Sequence, residues 1–268
     1  MRFRLGGQAI ALSVLERLEK LSISGGEMPA LMINANQSTV SIISTDADTY
    51  NVRFCARAGG RNEGDARRAL EKITLTRKTQ LLKVRTPQYS REQPANAWLR
   101  VEAARQRAVT VKGSYSYIEV FGIDAPVHVS TTHARVKLLD VTAEVQATAR
   151  VGIIDFAGDR GQVQLKADGE IGEINLKLTG TQFKGTLDAK AEVGIRILLP
   201  PIFESPFEVT VDRPDLFVCR ASIAPHVCHR DRDGLVMFAF GLGDPVMHFG
   251  SHGVLVIDNT DQLPASRV

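Results

Sequence analysis

The strongest metal-ligand chemistry in the sequence lies in the segment CRASIAPHVCHRDRD, residues 219–233. Cys219, His226 and Cys228 carry the thiol and imidazole groups that bind zinc in proteins. Their spacing does not fit that role, because no CxxC pair is present. In a strand, His226 and Cys228 would also face one way and His229 the other. The segment is interpreted as a surface loop, and this spacing favours neither zinc nor a disulfide between Cys219 and Cys228.

Two pairs of carboxylates have the spacing of calcium ligands, Asp46 with Asp48 and Asp231 with Asp233. Neither run continues with the later ligands and the bidentate glutamate that an EF-hand requires. Aspartate is also common in turns, where its side chain bonds the backbone of its own segment. We therefore expect turns at both places, and we expect no metal and no cofactor.

A third constellation has the residue types of a hydrolytic triad: His128, Ser130, His133 and Asp140. His128 and Ser130 can share the outer face of one strand, but nothing in the sequence builds an oxyanion hole or a pocket around them. A lyase on a β-helix would instead need acids that recur at one position of a repeat. The candidate acids do not recur in this way: Asp140, Asp155 and Asp159. The chain is predicted not to be an enzyme.

Aromatic residues provide the remaining candidate site. Trp98, Tyr115 and Tyr117, with hydroxyls on Ser114 and Ser116, form a patch of the kind that stacks on a sugar or a peptide. The alternative is that Tyr117 is an ordinary stacked residue of a repeat. These three aromatic residues are the only ligand-binding candidates that the sequence offers.

Composition excludes several classes of protein. The 268 residues are 44% hydrophobic and 24% charged, which is an ordinary globular profile. A net charge of +3 with interleaved signs does not predict nucleic-acid binding. No apolar run approaches the length of a membrane span, and the run at residues 9–15 ends at charged residues without a cleavage site. A cytoplasmic location is expected, and the three cysteines fit a reducing compartment.

The elements that must position these residues are mostly strands. A short amphipathic helix is predicted over residues 8–21, where the apolar residues recur at three- and four-residue spacing: Ile10, Val14, Leu18 and Leu21. A strand that begins near Val14 is the alternative. Alternating apolar residues then predict strands near residues 31–33, 40–42, 50–54, 73–76 and 81–84. A second short helix is predicted in EGDARRALEKI, with Asp65 as its N-cap.

An eighteen-residue repeat begins at Val109. Its first position holds Val109, Val127, Val145 and Val163. Its third position holds Val111, Val129, Ala147 and Leu165, and its twelfth holds Val120, Leu138, Phe156 and Ile174. A degenerate fifth unit keeps Phe183 at the third position. Its residues Val193, Ile195 and Ile197 come later in the unit than the matching residues of the first four units. Two short strands per unit, with like residues at like positions, are what a β-solenoid coil requires.

The predicted fold class is all-β: a β-solenoid or single-stranded β-helix-like stack of roughly 18-residue coils, with flanking sheet segments and a short N-terminal helix. The competing architecture is an antiparallel sandwich. The expected organisation is N-terminal strands and a helix in 1–86, a loop and first coil strand in 87–108, repeats in 109–199, and C-terminal strands with a closing coil in 200–268. One continuous domain over about 20–258 is the simplest form of this arrangement.

Five segments carry a family resemblance: LMINANQSTVSII, DARRALEKITL, the line from WLRVEAARQRAV to ARVKLLDV, the approach to LLP, and GSHGVLVIDN. Together they resemble a bacterial family of unknown function, the "putative adhesins". It implies a β-solenoid-like all-β fold and a non-catalytic binding or structural role, often at the cell envelope. The chain departs from the family in having Ala134 and Ala149 where glycine is usual at turns, and in having no export signal.

The resulting functional hypothesis is a non-enzymatic binding or structural module whose ligand is unknown. Envelope or surface material is the partner that the resemblance implies, and the cell envelope is then the alternative location. A self-assembling cytoplasmic scaffold, stacked through the solenoid ends, is the second hypothesis. A carbohydrate-active β-helix enzyme is the third.

Overall fold

A computed structural model describes residues 2–5, 8–11, 13–87, 94–223, 227–230 and 235–260, with side chains described in 13–87, 94–223 and 235–260. Most of this part of the chain is strand, with one α-helix and one short 3₁₀ helix. Within the described ranges, no helix has the length and apolar character that a membrane crossing requires.

The strands and helices of the first 104 residues are β1 Arg2–Leu5, β2 Gln8–Ala11, β3 Ser13–Ser24, β4 Leu31–Asn36, β5 Ser38–Thr45, β6 Thr49–Gly60, α1 Glu63–Glu71, β7 Thr74–Lys78, β8 Leu81–Arg85 and β9 Ala95–Ala104. The middle of the chain forms β10 Val109–Ser114, β11 Ser116–Phe121, β12 Val127–Leu139, β13 Glu144–Gly158, β14 Arg160–Ala167, β15 Gly172–Leu178, β16 Lys184–Ala191 and β17 Gly194–Leu199. The last part forms β18 Phe207–Val211, the 3₁₀ helix Pro214–Leu216, β19 Phe217–Cys219, β20 Val227–Arg230, β21 Val236–Phe240, β22 Met247–Ser251 and β23 Val254–Asn259.

All of these strands except the β1–β2 hairpin belong to one large sheet. Two parallel ladders run through it. Ladder A has the order β8–β4–β10–β12–β13–β14–β16–β22–β18. Ladder B has the order β9–β5–β11–β12–β13–β15–β17–β23–β19. This parallel pairing contradicts the antiparallel sandwich.

Antiparallel strands flank both ladders. At one end β7 pairs with β8, and β6 and β3 extend ladder B beyond β9. At the other end β21 and β20 extend ladder A beyond β18. The first and last parallel strands of ladder A and the first of ladder B therefore each have a further strand beside them.

The valines at the first repeat position form one buried row of ladder A. Val109 pairs with Val127, Val127 with Val145, and Val145 with Val163, and all four side chains are at most 1% exposed. The row at the third position, from Val111 to Leu165, has the same parallel register. Burying each such side chain contributes about 1.5–3 kcal/mol. The predicted hydrophobic columns at these two positions are confirmed.

The twelfth position of the repeat follows the prediction for three units and then departs from it. Val120 pairs with Leu138 and Leu138 with Phe156, but Phe156 pairs with Leu176 and not with Ile174. The cause is the connection between β14 and β15, which is longer than the corner inside β13 and shifts the register. Ile174 lies instead beside Ile154.

The fifth repeat unit is also placed differently. Val163 pairs with Leu187 and Leu165 with Ala189, so Phe183 does not occupy the third position. Phe183 precedes β16 and packs into the core from the connection, where its backbone N–H donates to Ser205. The prediction for Phe183 was wrong because this connection holds extra residues. Ile195 and Ile197 do continue the rows of Ile174 and Leu176.

The order of the strands in space differs from their order in the chain at both ends. In ladder A, β4 lies between β8 and β10, and β22 lies between β16 and β18. In ladder B, β5 and β23 are inserted in the same way. An early and a late segment are therefore each held on both sides by strands that are distant from them in sequence.

The predicted N-terminal helix over residues 8–21 is wrong. This stretch forms β2 and the first part of β3, and β3 pairs with β6 along its whole length. Leu18 is 62% exposed and Leu21 is 38% exposed, so the residues that suggested a helix do not share a buried face. Backbone pairing to the long strand β6 overrides their weak spacing signal.

The second predicted helix is confirmed as α1, which packs against β6 and β3 and buries Ala66 and Ala69. Its N-cap is Asn62 and not Asp65. The Oδ1 atom of Asn62 accepts a hydrogen bond from the backbone N–H of Asp65 at 2.9 Å. Asp65 instead lies in the first turn, where a carboxylate is favoured by the helix dipole.

Candidate functional site

Two of the three predicted aromatic residues stand in one outward row of ladder B. Trp98 on β9 and Tyr117 on β11 each pair with Thr39 on β5, which lies between them. The two aromatic side chains are thus two strand spacings apart, roughly 9–10 Å. Trp98 is 37% exposed and Tyr117 is half-buried. This arrangement depends on the insertion of β5 between β9 and β11.

Tyr115 occupies the corner between β10 and β11, next to this row. Its φ of 52° is in the left-handed region, which a bulky residue adopts only at a cost of about 1–3 kcal/mol. Gln37, with φ 49°, forms the same corner in the neighbouring layer, and its N–H donates to the Ser114 carbonyl at 2.9 Å. The two corners carry Tyr115 outward, and its side chain is 62% exposed.

A groove of about 520 Å³ joins the row and the corner. It is lined by Gln37, Ser38, Thr39, Ala95, Asn96, Ala97, Trp98, Tyr115 and Tyr117. The structure therefore brings the three aromatic candidates together. Sequence reasoning missed the polar residues Gln37, Ser38 and Asn96, because they come from strands whose adjacency only the fold creates.

Polar atoms at the groove lack partners. The Oγ of Ser38, whose residue is 6% exposed, and the Oε1 of Gln37 are buried and have no hydrogen-bond partner among the described residues. The Nδ1 of His133, behind Tyr115, is also unpartnered in this part of the chain. A buried polar atom without a partner costs about 1–3 kcal/mol.

A second groove, of about 500 Å³, lies on the outer face of ladder A, across β14, β16, β22 and β18. Its basic side chains have acidic neighbours. The Lys166 and Asp168 ion pair measures 3.0 Å, and that of Lys190 with Asp188 measures 3.5 Å. His248 Nδ1 lies 3.7 Å from Glu208. Sequence reasoning did not find this groove.

His252, at the rim of the second groove, has the closest of these contacts. Its Nδ1 lies 2.5 Å from Oδ2 of Asp212, and this hydrogen bond, with the charges of Asp212 and Glu192, raises the pKa of His252. The named basic groups of this groove are thus already matched by acids of the same surface. The aromatic groove differs in having three aromatic side chains and no ionised group among its described lining residues, so it is the stronger candidate for a ligand.

The proposed zinc residues are only partly described. The Cys219 thiol is half-buried and lies 3.6 Å from the Ile223 carbonyl oxygen, and burial raises its pKa. His226 lies outside the described residues, as does the side chain of Cys228. Among the side chains that the structure describes, no three His, Cys, Asp or Glu residues are close enough to hold a metal ion.

The residues of the supposed triad have separate surroundings. His128 Nδ1 lies 3.2 Å from Oε1 of Gln146, and the His133 ring stacks on Tyr115. Asp140 lies at a corner with φ 51°. Of the calcium candidates, Asp48 accepts two hydrogen bonds from Arg107, at 2.7 and 3.1 Å, and Asp231 and Asp233 lie outside the described residues.

Comparison with known proteins finds only distant structural similarity. No family model matches the chain, and no curated protein matches it. Similar solved structures include a "putative cell adhesion protein" from Clostridium sporogenes, with 10% identity, coverage of 91% of this chain and 99% of that chain, and a TM-score of 0.34. Another is a "putative adhesin" from Bacteroides fragilis, with 8% identity, coverage of 91% and 97%, and a TM-score of 0.37. Both carry the description that the sequence resemblance implied.

Proposed function

We propose that the chain is a non-enzymatic binding module, built as a β-solenoid-like stack, that holds its ligand in the aromatic groove. The observation that carries this proposal is the placement of Trp98 and Tyr117 on either side of Thr39, next to the exposed Tyr115. Concave sites with aromatic walls and a few convergent polar groups are typical of ligand binding.

The solenoid part of the proposal is supported by the way the two ladders are connected. β12 and β13 each take part in both ladders within one strand, since the same β12 pairs with β10 in ladder A and with β11 in ladder B. Other layers use one strand for each ladder. In-register parallel neighbours across successive layers are what stacked coils require.

Binding is favoured over catalysis by the chemistry of the groove. Its lining includes amides, hydroxyls and aromatic rings, and the described part of it holds no histidine, cysteine or carboxylate. The hydroxyls of Ser38 and Thr39 have no general base in this lining to activate them. The groove can therefore stack on a ligand and hydrogen-bond to it, which is the chemistry of recognition.

End-to-end assembly into a scaffold is less well supported. It would require strands at the ends of the stack to pair with another copy. At the end formed by the N-terminal strands, the outer strands β7 and β3 carry charges such as Arg77, Lys78, Glu16 and Lys20. Charged side chains on edge strands disfavour pairing between molecules. The motifs of the sequence resemblance support envelope or cell-surface material as the source of the ligand.

The test is binding of the full chain to arrays of glycans and peptides. We expect some array spots to bind the fluorescently labelled wild type. The same spots should show less fluorescence with the labelled double variant Trp98→Ala/Tyr115→Ala. The matched control is Phe121→Ala, which removes an exposed aromatic ring of β11 outside the groove. An array without signal, or signal equal in the double variant, would refute the proposal.

A further inference from the structure

We infer that the groove's ligand is a neutral oligosaccharide, with one sugar ring held between Trp98 and Tyr117 above Thr39. The inference rests on the proposed function and specifies the ligand class for the same site. It follows from three features of the groove: the spacing of the strands that carry the aromatic side chains, the absence of charge among the described lining residues, and the hydrogen-bonding side chains in the lining.

The spacing of the two strands leaves room for a single ring. The strands that carry Trp98 and Tyr117 are roughly 9–10 Å apart. A ring that contacts an aromatic face on each side needs about 7–8 Å between those faces, because contacting carbon atoms lie about 3.5–4.0 Å apart. Thr39 is the floor of this space, and its hydroxyl is an additional hydrogen-bonding group.

The charge pattern favours a neutral ligand. None of the nine described residues that line the groove is ionised at neutral pH. The next residue of the outward row beyond Tyr117 is Arg135, whose Nε donates to Oδ2 of Asp155 at 2.7 Å. A polyuronate, sulfated glycan or phosphate would thus meet no free cation among the described lining residues. Binding should therefore depend little on salt.

The hydrogen-bonding groups of the lining favour a sugar over a proline-rich peptide, which also stacks on aromatic rings. The side chains of Thr39 and Asn96 can each both donate and accept hydrogen bonds. Sugar hydroxyls do both. A proline-rich backbone offers carbonyl acceptors and few N–H donors, so it would match only the donors of these two side chains.

Tyr115 extends the site beyond one ring. It is 62% exposed at the corner, and its other face is stacked on His133 with ring centroids 4.4 Å apart. A ring fixed in this way presents a preorganised apolar surface next to the space between Trp98 and Tyr117. The ligand is therefore inferred to be an oligosaccharide, with a second ring on Tyr115, and single sugars should bind more weakly.

Trp98 is the only tryptophan of the chain, so intrinsic fluorescence reports directly on this site. The full chain is titrated with neutral probes (maltohexaose, cellohexaose, xylohexaose and mannohexaose), with an oligogalacturonate, and with a proline-rich peptide. We expect a saturable change in Trp98 emission with at least one neutral hexasaccharide, protection of Trp98 from acrylamide quenching, and the same affinity at low and high salt. The corresponding monosaccharide should bind at least about tenfold more weakly.

Variants place the ligand in the groove. Tyr117→Ala and Tyr115→Ala, with Trp98 kept as reporter, should each weaken binding at least about tenfold. Phe121→Ala on the same strand β11 should leave affinity unchanged. Unfolding curves of the three variants show whether each is folded, and a variant that does not fold is replaced by the corresponding leucine substitution, which keeps an apolar side chain without the ring.

The outcomes separate this inference from the proposed function. Groove-dependent binding of the peptide or the oligogalacturonate, without any neutral saccharide, overturns the sugar inference and leaves a binding module. If no neutral hexasaccharide binds but the arrays show groove-dependent spots, the sugar inference is likewise overturned and the binding module stands. Neutral saccharide binding that Tyr115→Ala and Tyr117→Ala do not weaken overturns the placement in this groove. Absence of groove-dependent binding in both experiments refutes the function as well.

Discussion

Tyr115 lies flat against His133 of the next layer, with ring centroids 4.4 Å apart and planes within 5° of parallel. Tyr115 is in the left-handed backbone region, whereas His133 lies inside the long strand β12. The stack therefore links a strained, exposed corner to a regular strand. Such contacts contribute about 0.5–1.5 kcal/mol beyond the area that they bury.

Removing the histidine ring should loosen Tyr115 without touching the groove lining. For His133→Ala we expect the free energy of unfolding to fall by about 1 kcal/mol and groove affinity to fall severalfold, because Tyr115 loses its support. His133→Phe, which keeps a flat ring, should restore both. Denaturant unfolding and fluorescence titration measure the two effects. His128→Ala, on the same strand, is the control, and equal losses in both alanine variants would contradict this role for His133.

The corner glycines lead to a stability prediction. Gly152 has φ 147°, and a Cβ there would lie 1.9 Å from the Ala134 carbonyl oxygen. Gly250 has an open position, with the nearest atom, Lys190 Cγ, at 3.7 Å. Gly152→Ala should destabilise the fold by about 3 kcal/mol or more, because the parallel pairing of β12 and β13 must shift. Gly250→Ala should change stability by less than about 0.5 kcal/mol. Thermal and denaturant unfolding of the pair test this, and similar losses would count against the corner geometry.

The repeat shows how far the sequence reaches in this fold. Rows headed by Val109 and Val111 were predictable because like residues recur at fixed spacing and parallel in-register pairing stacks them. The continuation of the rows beyond Phe156 and Leu165 was not predictable. Extra residues in the connections before Gly172 and Lys184 shift the register without changing the apolar pattern. Periodicity identifies the strands, but it does not reveal where a corner is longer.

The order of the layers left no trace in the local pattern. The residues of β4 and β5 alternate in the ordinary way, and nothing in them indicates pairing with β8 and β9 on one side and β10 and β11 on the other. The groove depends on this insertion. Trp98, Tyr115 and Tyr117 could be nominated as aromatic residues, whereas Gln37, Ser38 and Thr39 join them through long-range pairing alone.

The His252–Asp212 contact predicts a small pH dependence of stability. The pKa of His252 is raised in the folded protein by its hydrogen bond to Asp212. Its contribution is therefore fully present below the unfolded value of about 6.5 and is lost as the pH rises through the raised folded value. Because the His252 side chain is 63% exposed, the effect should be a few tenths of a kcal/mol. Unfolding curves of wild type and His252→Gln should differ below pH 6.5 and converge at alkaline pH. A difference that grows with pH would have the wrong sign.

Asp258 joins two layers near the end of ladder B. Its residue is 4% exposed, and its carboxylate accepts from Arg196 of β17 at 3.1 Å and from Arg220, which follows β19, at 3.3 Å. Asp258→Asn removes the charge from both contacts and should cost about 1–3 kcal/mol of stability. The exposed Asp215, 4.0 Å from Arg213, is the control, since Asp215→Asn should cost well under about 1 kcal/mol. Equal denaturant midpoints for the two variants would contradict a structural role for Asp258.

The inserted strands β22 and β23 should be among the more protected segments of the chain, although they lie near its end. β22 pairs with β16 on one side and β18 on the other, and β23 pairs with β17 and β19. β19, by contrast, pairs only with β23 among the described strands. Hydrogen exchange reports the free energy of local opening. We therefore expect peptides from residues 247–259 to exchange more slowly than those from residues 217–219.

Truncation before Met247 extends the same argument to folding. It would uncover the buried rows that end at Leu187 and Ile195, and it would remove the parallel partner of both β18 and β19. The truncated chain should therefore lose cooperative unfolding over the layers of β16 to β19 and should not simply shorten by its last segment. Circular dichroism and denaturant unfolding of the truncated and full chains measure this. Fast exchange of residues 247–259, or native-like cooperativity after truncation, would show that β22 and β23 do not hold the neighbouring layers together.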